Sequence, residues 1–217
     1  MPRIGVILAG CGYLDGAEIR EAVVTLLALS RKGAEAACFA PDVAQKRVVD
    51  HISGEEVEET RNVLIEAARI ARGEIADVRT ASIDGLDAVI LPGGFGAAFN
   101  LSTLALEEAG ASIDQGVAGL LSAAHDAGKP VGAICIAPAV VALALGDKAP
   151  NLTIGNDAGT AEALQACGAH HTDCAVTEIN VDEENRIVST PAYMYDAPLA
   201  DVATGIESLV DRVLSMV

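Results

Sequence analysis

A doubly wound α/β domain, with a mostly parallel sheet and helices on both faces, is predicted for this chain of 217 residues by three observations. Short apolar runs alternate with helix-period segments from end to end, the pattern of successive βαβ units. Only six residues are aromatic, three Phe and three Tyr with no Trp, so the core must be built from Ala, Val, Leu and Ile. Such a core favours helices on a parallel sheet over an aromatic-anchored sandwich. Glycines or a cysteine follow several of the apolar runs directly, which is where a sheet of this kind binds its ligands.

Each element has its own signal. Residues 4–9 are an apolar run ending in Gly10-Cys11-Gly12, a buried strand followed by a turn. From Ala17 the period becomes helical, with Ile19, Ala22, Val23, Leu26 and Leu27 taken as the apolar face. Glu18 and Glu21 stand in that helix's first turn, where the dipole favours anions, and Gly33 closes it. Residues 36–40 form the second strand, stopped by Pro41-Asp42. Residues 50–56 are an irregular excursion, and a second helix begins at Thr60 and carries Val63, Leu64, Ala67, Ala68 and Ile70. The strand at 87–91 runs straight into Pro92-Gly93-Gly94-Phe95-Gly96, where the backbone turns sharply or approaches a ligand closely. Residues 113–127 are helical. The strand at 131–135 delivers Cys135 at its tip, and the helix at 137–145 lies behind it with Pro138 in the first turn, a position that tolerates it. A short strand at 152–154, a helix at 160–166, a strand pair at 176–181 and 186–190 and a final helix at 199–216 complete the pattern. No repeat or long linker divides the chain, so residues 1–217 are expected to form one domain.

Composition narrows the function. The formal charge of −17 sets the chain against nucleic acid and against an anionic membrane surface, because both require a basic face. No apolar run approaches the ~20 residues that span a bilayer, and Met1-Pro2-Arg3 leads directly into a strand, so a cytoplasmic chain is expected. The five cysteines are odd in number and contain no C-x-x-C pair, which argues for reduced thiols rather than a disulfide framework or a zinc site.

The residues after the strands supply the candidates for chemistry. Cys135 sits in Gly132-Ala-Ile-Cys-Ile-Ala-Pro138, a strand-to-helix junction that aims its thiol at a helix N-terminus and so is expected to lower its pKa. It is either a nucleophile or a small buried hydrophobe, as most free cysteines are. Glu18 is either a proton carrier beside Cys135 or an ordinary first-turn acid. Backbone N–H groups of Gly94 and Ile136 are placed to hold a developing oxyanion, with Gly93 and Cys11 as further residues of the crevice. Asp15 has a weaker claim. Neither a P-loop lysine nor an ordered G-x-G-x-x-G is present, so ATP and NAD are not expected. Among His51, His125, His170 and His171, none precedes a glutamate by two residues, so the H-x-E of a glutaminase is missing, and only His51 keeps a claim on the crevice.

Together, Leu91-Pro-Gly-Gly-Phe-Gly96, Ala133-Ile-Cys-Ile-Ala-Pro138 and the early Glu18 resemble the ThiJ/PfpI superfamily of class I glutamine-amidotransferase-like proteins. Gly5-Val-Ile-Leu-Ala-Gly-Cys-Gly12, Cys38-Phe-Ala-Pro-Asp42, Glu59-Thr-Arg-Asn-Val-Leu-Ile-Glu-Ala-Ala-Arg69 and Thr190-Pro-Ala-Tyr-Met194 are similar to its ElbB family, once linked to isoprenoid biosynthesis. The resemblance implies a flavodoxin-like fold, a homodimer, and a glyoxalase that converts glyoxal to glycolate with no cofactor, neither glutathione nor metal. Cys135 then matches the nucleophile and Glu18 the acid/base carboxylate. The superfamily's glyoxalases often place a histidine shortly after the elbow helix, and residues 152–157 contain none. Weak, high-KM turnover is therefore expected. A non-enzymatic alternative is a redox sensor or partner-binding module built on an oxidisable Cys135.

Overall fold

A computed structural model describes residues 1–107 and 110–217. In chain order its elements are β1 (Arg3–Ile7), α1 (Ile19–Arg31), β2 (Glu35–Ala40), α2 (Val63–Ile70), β3 (Ile75–Asp77), β4 (Ala88–Leu91), α3 (Phe95–Phe99) and α4 (Gln115–Asp126). They continue with β5 (Val131–Ile134), α5 (Ala137–Leu145), β6 (Asn151–Leu152), α6 (Ala158–Ala166), β7 (His170–His171), β8 (Asn180–Asp182), β9 (Ile187–Thr190) and α7 (Leu199–Ser215).

Seven strands form one sheet in the order β3-β2-β1-β4-β5-β9-β8. Every pairing is parallel except β8 with β9, which are joined by the polar turn at 183–186. The two short strands β6 and β7 pair apart from it. The expected flavodoxin-like, doubly wound α/β fold is thus the observed one. Its strands are buried because helices cover both faces: α1 packs with α7, and α4 packs with α5. The core is aliphatic, with Ile4, Ile7, Leu29, Ile90, Leu91, Leu121, Ile134 and Leu145 almost fully buried. No helix among the described residues is long and apolar enough to cross a membrane.

Chain direction across the sheet reverses between β1 and β4, since β2 and β3 lie to one side and β5 and β9 to the other. At such a switch point the loops at the carboxyl ends of neighbouring strands diverge and open a crevice. Here those ends are the loop after β1, the glycine turn after β4 and the cysteine after β5.

Candidate functional site

Cys135 ends β5 with its N–H still bonded to Thr190 O at 2.9 Å, then turns to φ +62°. That left-handed conformation is strained for a residue with a side chain. It lifts the thiol off the sheet toward the start of α5, where Pro138 occupies the first turn. The N–H groups of Gly94 and Ile136 both face the sulfur. They are the two groups singled out in the sequence as oxyanion donors.

The carboxyl hydrogen-bonded to the Cys135 thiol is that of Glu21. Glu21 lies in the first turn of α1 and is fully buried. Its Oε2 accepts from the Gly93 N–H at 2.9 Å and its Oε1 from the Tyr193 N–H at 3.2 Å. A buried carboxylate held only by two amides is poorly solvated, and the charge of Glu18 nearby adds to the penalty, so its pKa is pushed up to about 8. Burial first, and the adjoining Glu21 second, also push the Cys135 thiol well up, against the two N–H groups that pull it down. The lowered thiol expected from the helix dipole is therefore reversed: desolvation outweighs the amide dipoles here.

Glu18 stands at the start of the same helix, beside the Cys135 cavity. It is the N-cap of α1, its Oε2 accepting from the Glu21 N–H at 2.7 Å, and it shares the wall of a cavity of about 380 Å³ with Cys135. Half-buried, it too is pushed up by desolvation. Gly94, Ile136, Phe95, Tyr193 and Asp157 line the same cavity. Gly93 stands behind it: a Cβ there would lie 2.5 Å from Cys135 Cβ and 2.8 Å from Glu21 Oε2, so only glycine lets the thiol and the carboxyl meet.

Cys11 does not line this cavity; burial first, and the charge of Glu66 second, raise its pKa. Asp15 is buried, accepts from the Val49 N–H at 2.8 Å and pins that loop. His51 lies 3.8 Å from Asp15, with Nδ1 3.0 Å from Val49 O and Nε2 accepting from the Leu14 N–H, and it borders an adjoining cavity instead. No histidine lines the Cys135 cavity among the described residues. Asp157, in the stretch where the superfamily's glyoxalases carry a histidine, caps α6 by accepting from the Thr160 N–H at 2.7 Å. No group of acids, histidines and cysteines suited to a metal ion occurs among the described residues.

Glu21 is the residue the sequence analysis missed. A signal was present. The buried positions of α1 are Glu21, Ala22, Thr25, Ala28 and Leu29, whereas Ile19, Val23 and Leu27 are 44, 49 and 44% exposed. A helical face drawn through the small residues puts a glutamate inside, and a buried acid without a basic partner marks a functional position.

No family model matches the chain. Two curated proteins, the human glutamine amidotransferase-like class 1 domain-containing protein 3, mitochondrial, and the rat ES1 protein homolog, mitochondrial, are each 45% identical over 224 residues. The match covers 99% of this chain and 83% and 84% of theirs. A crystal structure from Ehrlichia chaffeensis, described as an isoprenoid biosynthesis protein with amidotransferase-like domain, superposes with a TM-score of 0.93 at 40% identity, covering 99% of this chain and 100% of that one. A DJ-1 superfamily protein of Salmonella typhimurium shares the fold, with a TM-score of 0.60 at 22% identity over 99% of this chain and 91% of its own. The mitochondrial relatives overturn the cytoplasmic expectation. Charge, thiol usage and the lack of an apolar span speak to solvent and redox state, and they do not tell one aqueous compartment from another. The chain belongs to the family of glutamine amidotransferase-like class 1 domain proteins, in keeping with its resemblance to ElbB, and it shares the fold of DJ-1/ThiJ/PfpI proteins.

Proposed function

We propose that the chain converts glyoxal to glycolate through Cys135, with weak, high-KM turnover. The observation that carries this reading is the thiol at a strained elbow, hydrogen-bonded to a buried carboxyl, beside a cavity that Glu18 also lines.

Above about pH 8 Glu21 is the carboxylate while the thiol, pushed well up, keeps its proton; Glu21 takes that proton as the sulfur attacks, and the Gly94 and Ile136 N–H groups hold the charge that develops. The sulfur attacks one aldehyde carbon, forming the C–S bond, and the carbonyl pair becomes an oxyanion on the same two donors. Glu18 takes the proton from that carbon and returns it to the second carbon through an enediol. One carbon is oxidised as the other is reduced, so no external oxidant enters. Water then cleaves the glycolyl thioester and restores the thiol. Four heavy atoms offer little surface to bury, which supports the high KM.

Cys135→Ala should abolish glycolate formation as followed by chromatography; undiminished turnover would remove the proposal. The rival reading of Cys135 as an oxidisable sensor predicts a sulfinic acid at low peroxide with negligible glyoxal turnover, which mass spectrometry beside the activity measurement distinguishes. We further propose that the functional unit is a homodimer, as the family resemblance implied.

A further inference from the structure

We propose that the preferred substrate is an aromatic 1,2-dicarbonyl, with its aldehyde at Cys135 and its ring in a second chamber. The inference rests on the reading of Cys135 as a nucleophile and extends it to the substrate's body.

The second chamber, about 610 Å³, adjoins the first and shares Tyr13, Glu18 and Tyr193 with it. Glyoxal fills only a fraction of the first chamber and none of the second. Together the two have the size of a pocket for a ligand of many heavy atoms. Their lining is unusual for this chain. It contains three tyrosines and no tryptophan, and all three tyrosines, Tyr13, Tyr193 and Tyr195, border these chambers, together with Phe95. The core is aliphatic, and of these four rings only Tyr193 packs against it. Tyr13 and Phe95 remain 49 and 48% exposed.

The polar ends of two of the rings are already engaged. Tyr195 donates to Cys174 O at 2.9 Å, and Tyr193 accepts from Arg20 at 3.2 Å. What the tyrosines offer a ligand is therefore mainly ring surface, which suits a planar apolar body. Charge favours neither sign strongly, since Glu18 and Asp196 share the lining of the second chamber with Arg20. A neutral aryl group joined to the dicarbonyl fits both chambers. The chemistry balances as for glyoxal. The sulfur adds to the aldehyde carbon, the proton on that carbon moves to the ketone carbon, and water releases an aryl hydroxy acid.

The test compares initial rates with phenylglyoxal and glyoxal, read by chromatography of mandelate and glycolate, with Cys135→Ala as the blank for reaction with arginines. Burial of a phenyl ring is expected to lower KM at least tenfold relative to glyoxal. Ile19→Trp, at an exposed position bordering only the second chamber, should cut the ratio of phenylglyoxal to glyoxal kcat/KM at least fivefold. Turnover of glyoxal without preference for phenylglyoxal would overturn the aryl proposal and leave the glyoxalase reading standing. If neither is turned over, the glyoxalase reading falls, and calorimetry with unreactive acetophenone decides the chamber. Binding weakened at least fivefold by Ile19→Trp supports it, and absence of binding overturns it.

Discussion

Glu21 is a carboxyl that gains nothing from water and little from its neighbours, and its behaviour with pH follows from that. Folding raises its pKa from an ordinary 4.5 to about 8, so between these values the folded chain binds a proton that the unfolded chain has released. Stability contributed by the neutral form is complete below the unfolded value and is lost as pH rises through about 8. The loss is on the order of a few kcal/mol. Melting temperatures measured from pH 5 to 9 should fall, and in Glu21→Gln, which copies the neutral acid, the fall should be much shallower. The same substitution should lower kcat/KM for glyoxal about 100-fold, because an amide cannot take the thiol proton. It should also move the rising limb of the pH–rate profile upward, toward that of an isolated buried thiol. A parallel profile with an unchanged midpoint would show that the pair shares no proton.

At the level of elements, the close meeting of α1, the turn after β4 and the elbow after β5 depends on a missing side chain. Gly93→Ala should destabilise the protein by about 1–3 kcal/mol in urea titration and separate the thiol from the carboxyl, with loss of activity beyond what the stability change explains. The major elements were legible because period and punctuation agreed: α5 lies at the residues read from the sequence, and α1, α2, α4, α6 and α7 match to within a few residues. The strands β3 and β7 escaped notice because two or three residues carry no period, and α3 because its glycines read as loop, while β6, Asn151–Leu152, overlaps the strand expected at 152–154. The first strand of the antiparallel pair is shorter than expected, Asn180–Asp182 in place of 176–181. The consequential error was rotational. Reading Ile19, Ala22, Val23, Leu26 and Leu27 as the inner face of α1 placed bulk against the sheet, whereas the helix buries Glu21, Ala22, Thr25, Ala28 and Leu29 where it packs on α7 and the elbow, so that only Ala22 is common to both. That choice turned Glu21 outward and left Glu18 as the leading carboxylate, with Asp15 behind it.

For the molecule as a whole, sedimentation velocity should give the mass of two chains at micromolar concentration, and a lone chain there would remove the homodimer. Strand order was not readable from any single segment. It decides which loops meet, and it brings together Glu21, Gly93, Cys135 and Tyr193 from four separate passages of the chain. No fragment can therefore keep the reactive pair intact. Cleavage before Tyr193 would leave the sulfur in place but strip one of the amides that hold its neighbour. Chemical labelling of Cys135 thus becomes a gauge of whether the entire sheet has assembled, and in a denaturant series its rate should change in step with global unfolding rather than ahead of it.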